Sequence, residues 1–150
     1  MIILNAEENG ALYEEAGQLM KIAKEARKNA YMPYSRFAVG AALLCEDGSV
    51  YSGCNIENAA YSPGNCAERT AVFKAVSEGK RRFQAIALVG AAEGKEPDKE
   101  VVCTPCGVCR QVMAEFCDTE SFRIYVTDGE NIYSYTLNEL LPMAFGPEQL

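Results

Sequence analysis

The chain has 150 residues, 49% of them hydrophobic, and a formal net charge of −7, which suits one globular domain over residues 1–150 burying roughly 70% of the surface its unfolded form exposes. That charge disfavours long nucleic acid, whose binding rewards Lys and Arg. With no run of about 20 apolar residues for a membrane span, and no basic and extended apolar regions of an export signal in "MIILNAEENG", the expectation is a cytoplasmic protein without a membrane partner.

In chain order, Leu12, Ala16, Leu19, Ile22, Ala23, Ala26 and Ala30 recur at threes and fours, which predicts an amphipathic packing helix over residues 11–30. "AVGAALLC", "EDGS" and "VYSGCNIE" predict a β-hairpin turning at Asp47-Gly48. A loop over residues 58–65, containing Pro63-Gly64, leads into a helix from near Cys66 to near Gly79. The basic group "GKRRF" at its end is read as a solvated turn. "FQAIALVGA" is a buried strand, followed by a charged loop and then by "PCGVCRQVMAEF", a helix with Pro105 in its first turn. "FRIYVTD" and "IYSYT" form a strand pair across Asp128-Gly129, and Thr136 with Glu139 makes a capping box for a last short helix that Pro142 stops. The order α-β-β-α-β-α-β-β-α predicts an α/β sandwich with the sheet between helices.

Seven cysteines, at 45, 54, 66, 103, 106, 109 and 117, and no histidine point away from a disulfide framework and toward metal or redox chemistry in a reducing compartment. Catalysis must then use carboxylates, thiolates or a metal. Cys106 and Cys109 are three residues apart at one helix start, and Cys66 stands at another. The positive end of a helix dipole lowers a thiol pKa and favours the thiolate that zinc needs. Three thiolates and one open position would be catalytic zinc, four would be structural, and Cys103 three residues before Cys106 keeps the second arrangement open, as does a redox Cys-x-x-Cys pair. Glu68 favours the first, because a structural site has no use for a carboxylate two residues from a ligand. Cys66-Ala67-Glu68 with Pro105-Cys106-Gly107-Val108-Cys109 follows the order of the zinc nucleobase deaminases, in which the Glu carries protons and does not bind metal.

"PYSRFAVGAALL", "GCNIENAAYSPGNCAERTAVFKAVSEG", "TPCGVCRQVMAEFC" and "LLPMAFGPEQL" together resemble the cytidine deaminases of the small, homotetrameric, all-cysteine zinc class. The resemblance runs from Tyr31 to the C-terminus. It departs at Ala38, where the family often has proline, in the extension before Tyr31, and in the acidic loop 93–100. It implies a three-layer α-β-α sandwich with a mixed central sheet, one Zn²⁺ per chain on Cys66, Cys106 and Cys109, and hydrolytic deamination of cytidine and 2'-deoxycytidine in pyrimidine salvage. By the same resemblance, zinc activates a water that attacks C4 of cytosine while Glu68 carries protons, and Arg69 donates to the ligating sulfurs. Phe37 packs beside the pyrimidine, Asn55 and Glu57 bond the ribose hydroxyls with reliance on the 3'-hydroxyl, and Ala67 offers its backbone to the base. Tyr61 and Phe145 are implied as contacts between subunits, giving a homotetramer with shared active sites.

Two rival readings stand beside this one. The first is a deaminase of another amino-heterocycle, a blasticidin-like antibiotic or polynucleotide cytosine; the second is a non-catalytic structural-zinc domain. Cys45, Cys54, Cys103 and Cys117 are expected to be buried reduced thiols.

Overall fold

The computed structural model describes residues 1–150. Strand β2 (Phe37–Cys45) and strand β4 (Phe83–Ala92) are apolar on both faces, so a period of two must feed two cores. Ala41, Leu43, Ile86 and Leu88 point into one, and Ala42, Ala85, Ala87 and Val89 into the other. Strand β5 (Arg123–Thr127) divides likewise, with Ile124 and Val126 on the first side and Tyr125 on the second.

These strands join β1 (Ile2–Leu4), β3 (Val50–Cys54) and β6 (Ile132–Thr136) in one six-stranded sheet ordered β1-β6-β5-β4-β2-β3. Every pairing is antiparallel except β4 with β5. Helix α1 (Gly10–Arg27) covers the second face through Ala16, Leu19, Met20 and Ala23. Helices α2 (Ala67–Ser77) and α3 (Gly107–Phe116), with Leu137 of the short α4 (Leu137–Leu140), cover the first. The result is the expected α-β-α sandwich with a mixed sheet. The predicted capping box is formed, Thr136 and Glu139 each holding the other's backbone N–H, an arrangement worth about 1 kcal/mol.

The structure corrects four readings of the sequence. Ile22 is exposed and Met20 is buried in its place, because Ile22 lies about 100° around the helix from Ala23, outside the stripe that meets the sheet. Helix α1 ends at Arg27 and not at Ala30. There the Arg27 guanidinium leaves the helix to donate to the carbonyls of Ala38, Ala91, Ala92 and Lys95 at 2.6–3.2 Å. Helix α3 starts at Gly107, with Cys106 as its N-cap, so Pro105 precedes the helix and its carbonyl accepts from Arg110 Nε at 2.8 Å. Finally, the N-terminal segment supplies strand β1, which three residues were too short to announce by pattern. It is held by pairing with β6, by buried Leu4, and by the Met1 ammonium against the Glu139 carboxylate.

Close approach of α1 to the sheet depends on Gly40. A side chain there would collide with the Ala23 carbonyl and sit 2.6 Å from the Arg27 nitrogen. The opposite face of the sheet carries the chemistry-bearing helix starts.

Candidate active site

Cys66 is the N-cap of α2 and Cys106 the N-cap of α3, and neither makes a side-chain capping bond. Ser, Thr, Asp or Asn would normally occupy such positions. A thiol is a poor cap, but a thiolate there gains from the positive helix end. Cys109 lies in the first turn of α3 and is buried. The Cys106 sulfur is 3.6 Å from that of Cys109 and 4.0 Å from that of Cys66, and all three sulfurs lie within 4.8 Å of one another. Tetrahedral zinc with Zn–S bonds near 2.3 Å requires sulfurs about 3.8 Å apart. The donor set and its spacing therefore fit zinc, and three protein ligands leave the fourth position to a non-protein group, as in catalytic sites.

Within the cluster the two thiols are pushed in opposite directions. Hydrogen bonding from the Cys109 thiol, followed by the Arg69 guanidinium, holds Cys66 at a pKa of about 5 against its burial, while Cys109 is pushed up by the proton it gives to Cys66 and by burial. Arg69 Nη2 lies 3.6 Å from the Cys66 sulfur, so the arginine already sits where it offsets thiolate charge.

Glu68 is only 4% exposed, which removes the ordinary reading of a first-turn carboxylate favoured by the dipole at the surface. Burial, with the neighbouring Cys66 charge, pushes its pKa up to about 7. A carboxyl at that value takes and returns a proton near neutrality.

Beside Cys66 and Arg69, a cleft of ≈ 260 Å³ is lined also by Asn55, Glu57 and Tyr61. Asn55 spans the gap where β3 leaves β2: its Oδ1 accepts the Val39 N–H and its Nδ2 donates to the Phe37 carbonyl, both at 2.8 Å. One amide N–H remains for a ligand. Glu57 accepts the Tyr34 and Ser35 N–H groups on Oε1 at 3.0 and 3.1 Å. The Ser35 hydroxyl and these amides hold its carboxyl below the usual range, and Oε2 is left for a ligand.

Three other expected residues are not among those lining this cleft. Phe37 lines a separate hollow with Ala91 and Ala92. Ala67 is fully buried at the first position of α2, where its N–H has no partner within the helix. Phe145 is 60% exposed on a tail fastened to α3 by Gln111 Nε2 donating to its carbonyl at 2.8 Å. Tyr61, although it lines the cleft, is 95% exposed.

Of the remaining cysteines, Cys45 and Cys117 are buried as expected, but Cys54 and Cys103 are only half-buried. Cys103 comes from the extended stretch after β4, and its sulfur packs on Gly90, where an added Cβ would lie 2.6 Å away. It is not part of the three-sulfur group. Tyr34 and Ser35, which hold Glu57, and Asn65, which also lines the cleft, were missed in the sequence. Tyr34 and Ser35 act through backbone N–H groups, which no side-chain pattern reveals, whereas Asn65 was legible as the polar residue immediately before Cys66.

The pattern of the family described as "Cytidine and deoxycytidylate deaminase zinc-binding region" matches residues 13–125. A cytidine deaminase of Sporosarcina psychrophila is 54% identical over 134 residues, 89% of this chain and 93% of that one. A cytidine deaminase of Halalkalibacterium halodurans is 53% identical, covering 88% of this chain and 95% of its own. The crystal structure of cytidine deaminase from Burkholderia pseudomallei superposes with a TM-score of 0.77 at 44% identity, over 86% of this chain and 98% of that one.

Proposed function

The chain belongs to the family of cytidine and deoxycytidylate deaminases, and from that premise we propose that it hydrolyses cytidine to uridine and ammonia, with one zinc ion per chain held by Cys66, Cys106 and Cys109. One observation carries the reading: a buried carboxylate, Glu68, stands two residues from a thiol in a group of three sulfurs with tetrahedral zinc spacing. When bound, zinc supplies the Lewis acidity that makes water nucleophilic at neutral pH.

Glu68 takes a proton from the attacking water and gives it to N3 of the cytosine ring, which makes C4 electrophilic. With the water oxygen bonded to C4, Glu68 takes the second proton from that hydroxyl and delivers it to the 4-amino group, which leaves as ammonia as the C4–N bond breaks and the carbonyl of uridine forms. Arg69 offsets the negative charge of the thiolates from its position beside Cys66. Asn55 and Glu57 receive the ribose hydroxyls with the amide N–H and carboxylate oxygen that their backbone bonds leave free. Phe37 packs beside the base, and the Ala67 backbone contacts it. The whole of residues 1–150 is one deaminase-like zinc domain.

A site whose polar groups bond the ribose with reliance on its 3'-hydroxyl penalises substrates that cannot offer that hydroxyl and tolerates loss of the 2'-hydroxyl. Cytidine and 2'-deoxycytidine are expected to turn over comparably, with blasticidin S and cytosine in an oligonucleotide at least about 100-fold poorer in kcat/KM. Ultraviolet loss of the cytosine absorbance measures this ranking, and equal or better turnover of either alternative would overturn it. Pyrimidine salvage in the cytoplasm follows as the role. No helix is long and apolar enough to cross a membrane.

The assembly we propose is a homotetramer with shared sites. Tyr61, Met143 and Phe145 are strongly exposed apolar side chains, and the tail bearing two of them is held by Gln111; together they suit a surface covered by other copies. In this arrangement Phe145 completes a neighbour's pocket. Hybrids of Phe145→Ala chains with Glu68→Gln chains are then expected to exceed the summed activity of the two variants, since some pockets pair an intact Glu68 with an intact Phe145. Hybrids verified by mass that never exceed that sum would assign Phe145 to its own subunit.

A further inference from the structure

Strand β3 and helix α2 carry the two halves of the proposed site. The end of β3 delivers Asn55 and Glu57, and the start of α2 delivers Cys66 and Glu68. The relative placement of these halves decides whether the ribose contacts put the base where the proton carrier can reach it.

One side chain joins them. Thr70 Oγ1 lies 3.0 Å from the carbonyl of Cys54 and 3.1 Å from that of Cys66, and it accepts a hydrogen bond from Asn65 Nδ2 at 3.3 Å. The Cys66 carbonyl already receives the Thr70 N–H at 3.0 Å, as any helix would provide. The distinctive contribution of the hydroxyl is its reach to Cys54, the residue immediately before Asn55. Asn55 is in turn locked to β2 by the two bonds of its amide, so a displacement of Cys54 has no slack in which to be absorbed.

Gly53 makes the contact possible. A Cβ at that position would lie 2.5 Å from the Ala67 carbonyl, 2.6 Å from the Ala71 nitrogen and 3.0 Å from Thr70 Cβ. The first turn of α2 therefore rests directly on the backbone of β3.

We propose that Thr70 is a positioning residue: through the Cys54 carbonyl, and seated on Gly53, it sets the register between ribose recognition at Asn55 and the helix start that bears Cys66 and Glu68. The inference rests on the reading of Asn55 as a ribose contact, and its test separates the two.

Thr70→Val keeps the shape and removes the hydroxyl, while Thr70→Ser keeps the hydroxyl. Thr70→Val is expected to hold one zinc per chain and lose about 10-fold or more in kcat/KM for cytidine, the cost of a small misplacement of reacting groups. Thr70→Ser should stay within about threefold of the parent, far inside that misplacement cost. Because Thr70 acts through Asn55, the penalty of Thr70→Val should shrink on 3'-deoxycytidine, the two losses being non-additive. Equal penalties on both nucleosides, or Thr70→Ser as impaired as Thr70→Val, would reduce Thr70 to a fold-stabilising residue and overturn the inference. Should Thr70→Val not accumulate as folded protein, Thr70→Ala removes the hydroxyl without a branched side chain and applies the same test, with the same non-additivity expected. If the parent enzyme itself treats cytidine and 3'-deoxycytidine alike, the ribose reading fails and takes the inference with it.

Discussion

Glu68→Gln is expected to bind cytidine and hold zinc as the parent does, while kcat falls by a factor on the order of 10⁴, the upper range for removing a general acid–base group. The amide occupies the same volume in a position that is 4% exposed, so neither packing nor the neighbouring sulfurs are disturbed. What is lost is the ability to accept a proton from water and return it to N3 and the leaving amine. Because both transfers depend on one side chain, KM should change little and the loss should fall on kcat. Turnover within about tenfold of the parent would show that another group, or water alone, moves the protons, since an effective acid–base group contributes at least about 100-fold.

The second large effect concerns the metal. Cys106→Ser is expected to lower zinc affinity by at least about 100-fold, because even residues that only support a ligand cost 10–100-fold when removed. Activity should fall with the metal, and thermal stability with it, since α2 and α3 would lose the ion joining their N-termini. Cys103→Ser makes the contrasting case and should retain one zinc per chain. The Cys103 thiol lies against Gly90, outside the three-sulfur group. Zinc content of the two purified variants decides the matter, and metal lost from Cys103→Ser would restore the four-cysteine structural site.

Much of the fold was legible wherever side-chain period and turn chemistry agreed. The apolar runs that became β2 and β4, the hairpin at Asp47-Gly48 and the Thr136–Glu139 capping box all fell where the pattern put them. Short elements without a period were not legible, which is why β1 was missed. Helix boundaries slipped where a side chain left the helix for a tertiary carbonyl, as Arg27 does. At the site, residue types and spacing picked out the three cysteines and Glu68, because metal ligation and proton transfer demand particular atoms. The burial of Glu68 could not be read, since a first-turn glutamate has an equally good surface role. Nor could the backbone grip of Glu57 on Tyr34 and Ser35, which needs the segment after β3 brought beside the one before β2, or the bridge made by Thr70, which exists only once β3 and α2 are packed together.

The most direct test of the account is cytidine turnover by the purified protein, followed in the ultraviolet, before and after removal of zinc by a chelator and again after zinc is restored. Uridine and ammonia should form in equal amounts, cease with the loss of one zinc per chain, and resume when it is returned. Turnover that persists in fully zinc-free protein, or zinc-loaded folded protein that leaves cytidine untouched, would contradict it.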